Sequence, residues 1–123
     1  MWSIAVVREV APAGSMGVVP IGRASVVVTR ALREPIVVAR DLPLGAVMID
    51  YGGTTELHAV ECALYVGDAG VTVRVATVCA LIGSPPSVVE RWLRIDDTTR
   101  SATECPPPSS PGTCVSRAED RGG

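Results

Sequence analysis

The chain has 123 residues, 47% of them hydrophobic, and its 11 basic and 13 acidic side chains leave a net charge of −2. That length suits one domain with a core of useful size. With no basic patch interleaved with aromatics, the footprint of a nucleic-acid binder is lacking, and no apolar run nears the ~18 residues of a helical membrane span. The run Ser3-Ile4-Ala5-Val6-Val7 has no preceding cation and is interrupted by Arg8-Glu9, so no signal peptide is read and a cytoplasmic location is the default expectation.

The apolar residues are a narrow selection. Valine and alanine dominate, Phe is absent, and the aromatics are Trp2, Trp92, Tyr51 and Tyr65. A core of β-branched and small side chains favours strands over helices. Every cation is Arg, and Lys, Asn and Gln are missing. A GC-rich gene explains most of that bias, which also admits a dubious open reading frame without evolved function.

Residues 4–10 read as a first strand and 11–17 as a Pro/Gly/Ser loop. Residues 18–21 and 25–30 are short β-branched runs, and 35–39 and 46–50 are two more, separated by a turn at 40–45 that carries Pro43 and Gly45. The clearest stretch is 54–82, where two long alternating segments flank the turn Gly67-Asp68-Ala69-Gly70. Pairing Val66 with Val71 makes one face Val60, Cys62, Leu64 and Val66 against Thr77, Val75, Val73 and Val71. The other face then carries Ala59, Glu61, Ala63 and Tyr65 against Val78, Ala76, Arg74 and Thr72, with Glu61 and Arg74 as diagonal neighbours. The first is a core face and the second is mixed, as a half-buried antiparallel hairpin requires.

Ser84-Pro85-Pro86 and the capping-box pair Ser87 and Glu90 predict a helix over about 85–95, with Val88, Trp92 and Ile95 on one face. Residues 98–123 are polar and rich in Pro, Ser and Gly, which predicts a disordered tail. The expected fold is therefore mainly β (α+β). A single β-rich domain spans 1–97, a small antiparallel barrel or sandwich of six or seven strands around the hairpin 54–82, followed by the tail.

Four cysteines stand at 62, 79, 105 and 114. The hairpin register sets Cys62 opposite Val75, roughly 13 Å along the strand from Cys79, too far for a disulfide. Both are expected to be buried thiols acting as small hydrophobes. Cys105 and Cys114 bracket a Pro/Ser loop and are able to oxidise only in an exporting context. His58, the lone histidine, falls opposite Cys79, a cross-strand pair without the close ligand spacing of a zinc site. No catalytic residue, metal or cofactor is expected. The spacing Gly17 to Ala24 mimics a phosphate loop but has Arg23 for the lysine, Ala24 for the hydroxyl, and a β-like run where a helix is required. Gly122-Gly123 resembles the diglycine end of ubiquitin-like sulfur carriers, though two glycines closing a polar tail need no such role.

Two local resemblances suggest functions. Residues 36–47, containing Ala39-Arg40-Asp41-Leu42-Pro43-Leu44-Gly45, resemble the opening of the SAF, or β-clip, domain of pilus and flagellar assembly proteins and sialic acid synthases. Residues 66–73, Val-Gly-Asp-Ala-Gly-Val-Thr-Val, resemble a later strand of the same appendage proteins. The match covers some twenty residues, the spacing between its two pieces is shorter than usual, and it implies a β-rich, non-catalytic assembly or carbohydrate-contacting module. Residues 47–57 instead resemble the phosphate-binding hairpin of the actin, chaperone-ATPase and sugar-kinase superfamily, an apolar strand followed by D-x-G-G-T-T. That resemblance implies phosphate binding by Asp50, Gly52, Gly53, Thr54 and Thr55, the carboxylate holding a metal-bound water. A complete ATPase of that kind needs a second phosphate hairpin and an adenosine pocket, and the chain carries neither. The sequence thus points first to a non-enzymatic structural or assembly module, self-associating or binding a protein partner through unpaired strand edges. The alternative is a remnant nucleotide-phosphate-binding domain.

Overall fold

Valine-rich alternation does become strands along the chain. The computed structural model describes residues 1–10, 22–47, 56–81 and 85–121. Over these it places nine strands: β1 (Trp2–Val10), β2 (Gly22–Arg30), β3 (Ile36–Val47), β4 (Glu56–Gly67), β5 (Gly70–Leu81), β6 (Ser87–Asp96), β7 (Ser101–Cys105), β8 (Thr113–Arg117) and β9 (Glu119–Arg121). Strands β1–β3 form one antiparallel sheet and β4–β8 a second, in a sandwich-like arrangement that does not close into a barrel. The last three residues of β3 leave β2 and pair with β4, Gly45 opposite His58 and Val47 opposite Glu56, which joins the sheets. One apolar cluster fills the space between them, with Ile4, Val6, Val26 and Val28 from the first sheet meeting Leu64, Val73, Val75 and Leu93 from the second.

The hairpin register is the one the sequence predicts. Glu56 faces Leu81, Cys62 faces Val75, Val66 faces Val71, and Gly67 and Gly70 close the turn. Gly70 takes a φ of 120°, which suits a residue without Cβ. Leu64 and Val73 are fully buried and Cys62 and Val75 nearly so, which makes theirs the core face.

The strand 36–47 is a correction. Two expected strands and a turn at 40–45 are one continuous strand, because two single-residue bulges bend β3 without ending it. They put consecutive residues Val38 and Ala39 both inside, and Asp41 sits at a φ of 55°. Pro43 lies opposite Arg23 where β3 has no second described neighbour, an edge position that tolerates proline. The expected loop at 11–17 and the run 18–21 lie outside the described residues.

The helix over 85–95 is overturned. Ser87–Asp96 is a strand pairing with β5 from Cys79 opposite Ser87 to Val71 opposite Ile95, and no helix occurs among the described residues. A ten-residue stretch whose five apolar residues are Val88, Val89, Trp92, Leu93 and Ile95 fits both periodicities, and nine backbone partners along β5 outweigh a capping pattern. The expected disordered tail is corrected too, since it supplies three strands. β7 pairs with β6, β8 lies antiparallel on β4 at residues 63–66, and β9 lies parallel on β1 at Ala5, Val6 and Val7. The N–H of Ala118, between β8 and β9, donates to the Cys62 carbonyl at 3.0 Å. Composition hid these strands because their partners are backbone groups on ready-made sheet edges. The tail brings little apolar surface, Ala102 and Ala118 being its residues that pack against the core among those described.

Candidate functional site

β6 is paired unevenly. Its inner neighbour β5 covers the whole strand, but β7 reaches only from Asp96, opposite Ser101, to Trp92, opposite Cys105. Pro106-Pro107-Pro108 follows at once, and proline has neither the N–H nor the freedom to extend a ladder. Residues 88–91 therefore present an edge that no described strand pairs. Val88 and Val89 on it are 52% and 62% exposed. Backbone N–H and C=O groups along a strand edge beside exposed valines are a template for another strand.

The charges on that edge are engaged within the chain. Glu90 accepts from Arg74 Nε at 2.9 Å and Nη2 at 2.8 Å, and its other oxygen accepts from Trp92 Nε1–H. The bond from Arg74 first, and that from Trp92 second, hold the Glu90 carboxyl below its ordinary range. Arg91 lies 3.5 Å from Glu104 on β7. Strand alternation puts Glu90, Trp92 and Arg74 on the outer face of the second sheet, where the Tyr65 and Trp92 rings meet at 5.5 Å. Trp92 is only 8% exposed there, so it anchors the sheet rather than offering a binding surface. Arg74 pairs with Glu90 across strands, a partner that the expected Glu61 diagonal did not anticipate.

At the far end of β6, the Asp96 carboxylate accepts the N–H groups of Thr98 at 2.9 Å and Thr99 at 3.1 Å. Those bonds, the one from Thr99 foremost, keep it ionised below its usual range and shape the turn into β7. Arg30 reaches across the sandwich to Asp97 at 3.1 Å while lying over the Trp2 ring, and Arg100 pairs with Glu34.

The other candidates fare differently. Asp50, Gly52, Gly53, Thr54 and Thr55 lie outside the described residues. The flanking strands are antiparallel neighbours at Val47 and Glu56, a pairing that any strand–turn–strand makes and that carries no phosphate chemistry of its own. The backbone register sets His58 opposite Cys79. Cys62 is buried, and burial first, with the Glu61 carboxylate second, pushes its thiol up to about 12, so it is a protonated core residue. Cys105 faces Trp92 on β6 and Cys114 faces Tyr65 on β4. Four strand spacings, roughly 19 Å, separate β7 from β8, so no disulfide joins these free thiols within the chain. Gly22, Arg23 and Ala24 open a strand, not the helix a phosphate loop feeds.

Among the described residues no group of three or more His, Cys, Asp or Glu is placed to hold a metal ion, and no helix is long and apolar enough to cross a membrane. A groove of about 300 Å³ on the first sheet is walled by hydroxyl and aliphatic groups such as Ser3, Ala5, Val27 and Thr29. Another, of about 390 Å³, lies beside the β4–β5 turn, where Asp68 is the one charged residue among the described walls. Sequence reasoning missed the β6 edge because it had a helix there; the proline run after Cys105 was the available signal. Comparisons with protein-family models, curated proteins and solved structures give no match.

Proposed function

We propose that this chain is a non-enzymatic structural or assembly module that joins its sheet to another polypeptide through a strand edge. The observation that carries the reading is the stretch 88–91 of β6, whose outer edge no described strand covers and which carries exposed Val88 and Val89. Edges of this kind are usually blunted by a charge, a proline or a covering loop. Here Pro106 ends the covering strand early, and Glu90 and Arg91 are both occupied inside the chain. The outer face beside the edge is held by the Arg74–Glu90–Trp92 cluster, so the edge is rigid before a partner arrives, which lowers the ordering cost of association.

Light scattering with size separation over a wide concentration range tests the reading. A mass above that of one chain, rising with concentration, supports it. A clean monomer at every concentration sinks it.

A further inference from the structure

We propose that residues 113–121 form a latch that opens as one unit ahead of the rest of the fold and, when open, bares an edge of each sheet. The inference goes beyond the assembly reading and does not depend on the β6 edge.

One stretch of chain fills two seats. β8 covers β4 at residues 63–66, β9 covers β1 at Ala5, Val6 and Val7, and between them the Ala118 N–H donates to the Cys62 carbonyl. Four residue pairs hold the first seat and three the second, and the first skips Val115 between Cys114 and Ser116. Along β8 the side chains add little. Thr113, Cys114, Val115 and Arg117 are exposed, and the strand's described side-chain hydrogen bonds stay within it. Ala118 is the one described apolar residue of the segment that packs against the core. Hollows flank it at Thr113, about 390 Å³, and where Arg117 and Ala118 meet Val60, Glu61 and Cys62, about 140 Å³. Atoms lining such hollows lack contact partners on one side.

An element with few buried apolar contacts and edge-strand hydrogen bonds opens before the core does. The other side of β4 is the opposite case, with twelve pairs to β5 around buried Leu64, Val73 and Val75. The latch can therefore leave while the hairpin stays. Both edges lose their cover in one event because a single segment supplies both strands, and an uncovered edge is a template for another strand.

β4 reports the two regimes residue by residue. Gly67 and Gly70 close a two-residue turn, which points the Gly67 N–H at β5, and by alternation Ala63 and Tyr65 point there too. The Cys62 carbonyl points at the latch, and Leu64 and Val66 follow it.

Hydrogen exchange of the full folded chain, followed by NMR amide by amide in low urea, tests the latch. Protected amides of β8, β9 and Ala118, with those of Leu64 and Val66, should share one opening rate and one urea dependence. That group should exchange at least about tenfold faster than Ala63 and Tyr65, with a shallower urea slope. Leu64 and Val66 exchanging as slowly as Ala63 and Tyr65 overturns the inference, because β8 then leaves only when the whole fold does. Separate rates for β8 and β9 overturn it as well, since two independent strands are not one latch.

Discussion

The two halves of β6 share one strand and one inner neighbour, yet they live in different surroundings. Residues 92–95 lie between β5 and β7, and Leu93 and Trp92 are 2% and 8% exposed. Residues 87–91 have β5 alone among the described strands, and Val88 and Val89 face solvent. Residue chemistry does not explain the contrast, since valines are as apolar as the leucine beyond them. What differs is the neighbour: β7 stops at Cys105 because proline follows. Burial along a strand is thus set by the neighbouring segment, and the exposed half keeps an outer edge that no described strand covers.

Substitutions separate the halves. Leu93→Ala removes a core side chain and should cost about 2–5 kcal/mol in urea unfolding. Val89→Ala in the open half should stay within about 0.5 kcal/mol. Equal costs would mean that the open half is covered after all.

The next largest effect concerns the chain that crosses from β7 to β8. Gly112 has a φ of 90°, and a Cβ there would strike the Val66 carbonyl and the Gly67 backbone. Gly112→Ala should therefore lose about 1–3 kcal/mol and open the segment after β7 to limited proteolysis, while the hairpin stays protected. Unchanged protease resistance would show that the crossing chain is held elsewhere.

A smaller gain is expected at Thr72, opposite Arg94 in the covered half, whose buried hydroxyl has no hydrogen-bond partner. Pro108 and Pro111 of the crossing chain line the same hollow. Thr72→Val keeps the shape, removes the orphaned group, and should stabilise the fold by up to about 1 kcal/mol. A loss of stability would mean the hydroxyl is satisfied in solution.

The smallest effect is acid sensitivity at the junction of the halves. Folding lowers the Glu90 carboxyl from its ordinary 4.5, so the folded state favours its ionised form. That contribution is fully present above pH 4.5 and is lost as pH falls through the lowered value. Stability measured by Trp fluorescence should drop over that interval, and less so in Glu90→Gln. Asp96 acts in the same direction from its ordinary 3.8, so Glu90→Gln should remove only part of the drop.

The hairpin was legible because every signal agreed: long alternation on both sides, a Gly-Asp-Ala-Gly turn, and a register that buries one face of Cys62, Leu64, Val73 and Val75. β6 was not, because Val88, Trp92 and Ile95 satisfy helical spacing while Leu93 and Ile95 equally satisfy strand spacing. The candidate edge was harder still, since it depends on β6 being a strand and on Pro106 ending β7, two facts from separate segments. Asp50 to Thr55 lie outside the described residues, so the phosphate resemblance gains no support from the fold.

Sequence alone determined that this chain would be mainly β, with one hairpin in a definite register, because valine-rich alternation and a strong turn are local signals. Tertiary structure decided everything that depends on an edge. It made Ser87–Asp96 a strand, recruited a polar tail into both sheets, and left residues 88–91 of β6 with no outer neighbour among the described strands. Backbone pairing across strands is where those choices are made, and side-chain composition records it faintly.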